Sequence, residues 1–232
     1  MTPIPIFIGY DPRERAATNV LIDSLYQHSS TPLAITPIVL SQVESQQLYW
    51  RARDPLQSTA FSFSRFLVPR LMNYNGWAIF MDCDMLCRSD ITELWEQQSE
   101  QFAVMCVQHA HTPSESTKFL GEIQSRYEKK NWSSLMLFNC QRCTALTPEY
   151  VNQATGLELH RFHWLGNDEL IGSLPIDRWN HLVDVQPARQ ADQAALLHWT
   201  LGGPWFREQT TMGSSMAAEW FRARDDAMRL WD

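Results

Sequence analysis

Short apolar runs punctuated by turn-forming residues set the rhythm of the first half of the chain. Ile4 to Ile8 is apolar throughout and closes on Gly9, Tyr10 and Asp11, which predicts an opening β-strand. From about Arg15 to His28 the spacing changes. Ala17, Val20, Leu21 and Leu25 recur at helical intervals and predict an amphipathic helix. "TPLAITPIVL" then predicts a second strand, which its prolines confine to an edge or a strand end. A further helix is expected over Ser58 to Asn73, with Pro69 kinking it or opening its last turn. Ala78 to Met81 follows the turn-like Asn75 and Gly76 and is too brief for a helix, so it reads as a short interior strand.

The second half continues the alternation. "SDITELWEQ" predicts a short capped helix, and "FAVMCVQ" and "SSLMLFNC" predict strands. "TPEYVNQATG" carries helix signals at both ends, with Thr147 as N-cap, Pro148 in the first turn and Gly156 as stop. "SSMAAEWFRARDDAMRLW" predicts an amphipathic C-terminal helix. Strands alternating with helices, without a repeat or a linker, predict an α/β fold: one domain over 1–232 with a mainly parallel sheet flanked by helices on both faces. Ligands in such sheets gather beyond the carboxyl ends of the strands. Asp11, Asp82 and Asp84 all fall at predicted strand ends, so three carboxylates are expected to share one crevice.

Composition narrows the classes. The chain has 232 residues, of which 44% are hydrophobic and 19% charged, enough apolar material for a substantial core and too much for disorder. No stretch approaches the roughly 18 apolar residues of a membrane span. "MTPIPIFIGYDPRER" has no basic lead-in, so a cytoplasmic protein is expected, with the inner membrane face as a peripheral alternative. Net charge is −7 and the only compact basic run is within "EKK" at 128 to 130, which argues against a nucleic-acid partner. The five cysteines are an odd number, and no secretory signal accompanies them, so reduced thiols are expected. A zinc site from Cys83, Cys87, Cys140 and Cys143 is the weaker reading, because the first pair is loosely spaced; buried thiols are the stronger one.

"AIFMDCDML" concentrates the chemistry. Carboxylates placed directly after an interior strand need a cation, a hydrogen-bond network or solvent. Asp82 and Asp84 could cap backbone groups in a turn. They could open a phosphatase of the haloacid dehalogenase type, although that motif continues with Gly or Val and then Thr, where Met85 and Leu86 stand here. They could also hold a hard divalent cation together with substrate phosphate oxygens. The motif alone does not separate these readings.

Five segments in one order tip the balance: "IPIFIGYDPRE", "STAFSFSRFLVPRLMNYNGWAIFMDCDML", "NWSSLMLFN", "WLGNDELIGSLP" and "LLHWTLGGPWF". The order resembles glycosyltransferase family eight, of the GT-A fold. The resemblance implies a retaining transferase that moves a hexose-type sugar from a nucleotide diphosphate sugar, a UDP-sugar in the leading reading, with Mn2+ or Mg2+. It implies metal binding by Asp82, Asp84 and His198, ribose contact by Asp82, and donor contact by Arg65 on the preceding helix. Asp168 in "GNDEL", with Asn167 and Glu169 beside it, falls where the family has an acidic or amide residue next to the reacting carbon; the equal alternative is that Asn167 or Asp168 is the N-cap of a helix opening "ELIGSL". The nucleotide-binding half would span about 1–110 and the acceptor-side half about 111–232.

This sequence also departs from the family pattern. Trp132, Ser133 and Ser134 replace Asn-Ser-Gly before the strand Leu135 to Asn139. The terminal motif is one residue short, and Gly202 and Gly203 stand where a Lys would grip the diphosphate. Glycine amides can approach phosphates but bring no charge, so Lys130, Arg65 or Arg207 would have to supply it. The resemblance implies that the opening strand, closing on Gly9, Tyr10 and Asp11, binds the nucleoside; Tyr10 suits stacking and Asp11 hydroxyl binding. His109 and His111, with Trp132 and Ser133, would line the acceptor side. The acceptor is a saccharide, a lipid-linked sugar or a small molecule. The apolar face of the C-terminal helix would pack on the domain or on a second copy of the chain. The competing readings are a phosphotransferase using the Asp pair and a sugar-nucleotide-binding protein without turnover.

Overall fold

A computed structural model describes residues 2–55, 57–110, 129–207 and 216–229. The opening strand β1 (Ile4–Gly9) runs through a 3-10 turn (Pro12–Glu14) into α1 (Arg15–His28), as the periodicity predicts. Then come β2 (Leu33–Ile38), α2 (Leu40–Ser45), α3 (Val68–Leu71) and β3 (Trp77–Met81). β4 (Met85–Cys87), α4 (Thr92–Trp95) and β5 (Val104–Cys106) complete the first half. The second half contributes β6 (Leu135–Asn139), α5 (Pro148–Gln153), α6 (Gly156–His160), β7 (Ile171–Ser173), β8 (His181–Leu182), β9 (Leu196–His198) and α7 (Ala217–Ala227).

Six strands form one sheet in the order β2-β1-β3-β6-β5-β7. β1 pairs in parallel with β2 and β3, and β5 with β7; β6 alone runs antiparallel, between β3 and β5. β2 lies at the edge, where Pro37 can lack an amide proton without breaking an interior ladder. The central strands are apolar on both faces, as a covered sheet requires. Ile79, Phe80, Leu137 and Phe138 are fully buried. A second sheet, β4-β9-β8, pairs β4 antiparallel to β9 and β8 parallel to it. Both halves of the chain contribute strands to each sheet.

Two predicted elements come out differently. Helical structure within 58–73 is limited to a 3-10 turn at Ser64–Leu67 and α3. Ahead of it, the Ser62 hydroxyl bonds the Thr59 carbonyl and accepts from the Thr59 amide, a local alternative to helical bonding. Gly156 does not stop a helix. α5 ends at Gln153, and Thr155 opens α6 with a capping box in which Glu158 reaches back to the Thr155 amide. Thr147 does cap α5, accepting from the Tyr150 amide. α7 seats Trp220 in a small apolar cluster with Val20, Leu197 and Trp199, so its apolar face is covered by this domain. Leu230 and Trp231, also expected in that helix, lie outside the described residues. No helix among those described is long and apolar enough to cross a membrane.

Leu137 sits mid-strand in β6 with no exposed surface. Leu137→Ala should therefore lower unfolding free energy by about 2–5 kcal/mol, the usual cost of a cavity in a tightly packed interior, read from urea denaturation curves.

Candidate active site

The two sheets meet at residues 82–84. β3 delivers Asp82 from the large sheet, where its amide donates to the Ser134 carbonyl at 2.9 Å. β4 starts immediately after Asp84 in the small sheet, and its register sets Met85 opposite His198. The Trp199 amide donates to the Asp84 carbonyl at 2.9 Å, which closes this junction. Strand pairing thus carries His198 to the aspartates across a long stretch of sequence. One ligating atom from each of Asp82, Asp84 and His198 lies within 4.8 Å of the others, and all three residues are buried. Cys83 between them is fully buried and bonds the Thr18 hydroxyl of α1.

The charges in this group are incompletely matched. Arg65 Nη1 donates to Asp82 Oδ1 at 2.7 Å and to the Ser133 carbonyl at 2.9 Å, so one carboxylate has a counterion. Asp84 Oδ1 is buried without a hydrogen bond among the described residues, although His198 Nε2 is only 3.3 Å away. The His198 Nδ1 atom lies 2.8 Å from Asn180 Oδ1 and donates to it. In the neutral ring that leaves Nε2 as a lone pair. A carboxylate oxygen and an imidazole lone pair face each other, which is the arrangement a cation between them would satisfy. Two carboxylates and one imidazole suit Mn2+ or Mg2+.

A further carboxyl is buried beside these charges. Glu14 is buried at the end of the first 3-10 turn, and its Oε2 has no hydrogen-bond partner among the described residues. Burial, reinforced by the charges of Asp84, Asp11 and Asp82, pushes its carboxyl well above the usual range. Asp11 differs. Burial opposes its ionisation, but hydrogen bonds from Arg13 and the Ala60 amide outweigh it and hold the pKa below the ordinary value. Asp11 is buried and already engaged by Arg13 and the 58–60 turn.

The other predicted positions have local partners of their own. A Cβ on Gly9 would meet the Phe61 ring at 2.2 Å, so that glycine serves a close ring contact. Tyr10 is half-buried, with its hydroxyl accepting from Arg15 Nε at 3.3 Å. Lys130 is buried. Gly202 has φ 102°, and a Cβ on Gly203 would meet the Trp205 ring at 2.2 Å, so both glycines answer local backbone demands. Asn167, Asp168 and Glu169 are exposed: Asn167 caps a 3-10 turn and Asp168 pairs with Lys129 at 2.5 Å. Trp132 donates its indole N–H to the His109 carbonyl, and Ser133 shares a 2.8 Å hydrogen bond with His160. His109 is buried. Burial and the nearby His198 charge depress its pKa to about 4, against the hydrogen bond it donates to the Asn180 carbonyl. His111 lies outside the described residues.

All five cysteines are free and buried; burial pushes Cys87 and Cys140 up to about 12, the behaviour of packing thiols. Among the described residues the Asp82–Asp84–His198 group is the only metal-capable cluster. Glu14 and Asn180 join the site without any warning from the sequence. Neither stands in a recognisable motif; the only hint at Glu14 is a charged residue in the first turn after an interior strand.

Residues 19–147 match glycosyl transferase family 8. The chain is 48% identical over 211 residues to Protein CDI of Arabidopsis thaliana, covering 88% of this chain and 80% of that protein. Among solved structures, the apo form of the bifunctional glycosyltransferase WbbM superimposes with a TM-score of 0.59 at 14% identity. That match covers 96% of this chain and 52% of WbbM, so the chain spans about half of that protein. The galactosyltransferase LgtC, in complex with donor and acceptor sugar analogues, gives a TM-score of 0.58 at 9% identity over 99% of this chain and 98% of LgtC. At such identities these structures establish the fold, which is of the GT-A type.

The depressed His109 pKa makes a pH prediction. Between about 4 and the unfolded value of about 6.5 the unfolded state binds the extra proton, so stability rises with pH through that window. Stability should be complete above it and fall by roughly 3 kcal/mol as pH drops to about 4. Urea titrations at stepped pH should show this slope in the native protein and a shallower one in His109→Phe.

Proposed function

Because this chain belongs to glycosyl transferase family 8 and is a glycosyltransferase, we propose that it moves a hexose-type sugar from a UDP-sugar to an acceptor hydroxyl, with retention at the sugar carbon. In this reading Asp82, Asp84 and His198 hold Mn2+ or Mg2+. The observation that carries it is the buried Asp84 Oδ1, without a hydrogen bond among the described residues and 3.3 Å from an imidazole nitrogen.

When bound, the ion supplies Lewis-acid neutralisation of the leaving diphosphate. The protein's own residues do the rest. Asp82 and Asp84 provide carboxylate charge at a rigid junction between two sheets. Arg65 orients Asp82, and its Ser133 contact ties that pair to the loop entering β6. Gly9, Tyr10 and Asp11 receive the nucleoside, and Lys130, Gly202 and Gly203 stand toward the phosphates. Asp168 serves beside the reacting carbon, with Asn167 and Glu169 as its neighbours, and it leaves its Lys129 pairing to do so. His109, Trp132 and Ser133 line the acceptor side, which takes a saccharide, a lipid-linked sugar or a small hydroxyl compound. Fixed dipoles and charges of this kind lower the barrier through orientation and electrostatics.

Calorimetric titration with UDP-sugars, with and without Mn2+, combined with NMR detection of released sugar, tests this reading. Metal-dependent binding and slow donor hydrolysis are expected. Asp84→Asn should lower Mn2+ affinity and hydrolysis by more than about 100-fold, beyond what loss of an outer-shell partner gives. Binding without hydrolysis or transfer to any acceptor would make the protein a silent binder. Phosphate release from phosphate esters would favour a phosphotransferase instead.

A further inference from the structure

Asn180 is completely buried, with φ 55°, immediately before β8. Both polar atoms of its side chain are committed. Oδ1 accepts from His198 Nδ1 at 2.8 Å, and Nδ2 donates to Ser134 Oγ at 2.9 Å. The Ser134 hydroxyl in turn donates to the Asn131 carbonyl at 2.6 Å, and the Ser134 carbonyl receives the Asp82 amide at 2.9 Å. The backbone carbonyl of Asn180 is occupied separately, accepting a hydrogen bond from the His109 ring. His109 Nε2 is buried and has no hydrogen-bond partner among the described residues, so the bonded nitrogen is Nδ1.

One residue therefore grips two imidazoles by the same ring atom, one through its side chain and one through its backbone. We infer that Asn180 is a positioning residue of the transfer site, locking His198 and His109 in the Nδ1–H form so that each Nε2 is kept as an open lone pair. For His198 that lone pair lies against Asp84 and serves the cation, a role that rests on the proposed metal reading. For His109 it is a buried acceptor suited to a sugar hydroxyl. The Ser134 branch explains why an amide occupies this position: the same side chain must accept from an imidazole and donate toward the loop that anchors Asp82. A bond of this kind outside the metal's own ligands fixes ring orientation and tautomer.

The tautomers are read directly from 15N-imidazole NMR of the metal-free protein, with the two rings assigned through His198→Gln and His109→Gln. Both rings should be Nδ1–H; finding Nε2–H on either would overturn the inference. Asn180→Gly removes the side chain but accepts the positive φ and keeps the carbonyl. It should blur the His198 tautomer, leave His109 unchanged and weaken Mn2+ binding about 10- to 100-fold. Asn180→Asp retains an acceptor for His198 and should keep Mn2+ affinity within about threefold of the native protein, since the outer-shell bond survives. An Asn180→Gly protein with an unaltered His198 ring and undiminished Mn2+ affinity would also overturn it. Should the glycine variant not fold, the native spectra and Asn180→Asp decide: loss of the His198 Nδ1–H signal in the aspartate variant would count against the inference. Absence of Mn2+ binding by the native protein would defeat the metal reading alone, because the tautomers are measured without metal.

Discussion

The organising constraint is excess negative charge in a place where water is scarce. Asp11, Glu14, Asp82 and Asp84 are all buried near one another, and the structure handles each differently. Asp11 is matched by Arg13 and an amide, Asp82 by Arg65, and Glu14 by holding its proton. Asp84 is left with an imidazole that is itself an acceptor in its neutral form. A low-dielectric interior makes unmatched charge expensive, and this local deficit is what a cation at the proposed site would relieve.

The fold creates that deficit through its connectivity. The large sheet ends at Asp82 and the small sheet starts after Asp84, so the acidic segment is the bridge between two hydrogen-bonded ladders. Neither aspartate can drift without breaking a ladder, because the Ser134 and Trp199 backbones pin both ends. A charged pair on a mobile loop would relax away from its own repulsion. Here it cannot, because both ends of the acidic segment are held by backbone hydrogen bonds.

Much of this is legible from residue order, for identifiable reasons. β1, α1, β3 and β6 are long or uniform enough for periodicity to declare them, and Thr147 and Pro148 announce the start of α5. The acidic pair stands out because charge after an interior strand is chemically conspicuous. β8 and β9, of two and three residues, have no period to detect and exist because β4 pairs with β9. The turns before Ser64 escape the helical pattern because Ser62 and Thr59 satisfy each other locally. Arg65 reads from the sequence as a donor contact, and its ion pair with Asp82 depends on tertiary placement that spacing does not encode. Asn180 is the extreme case: an ordinary amide in "RWNH" whose importance is entirely a matter of what surrounds it.

The pairing of β4 with β9 also orders events during biosynthesis. A ribosome delivers both aspartates well before His198, and the strand that seats the imidazole follows far downstream of them. A nascent or truncated polypeptide thus lacks the third donor and the small-sheet partner that holds it. An ion held by all three side chains, as proposed, would need β9 already docked on β4.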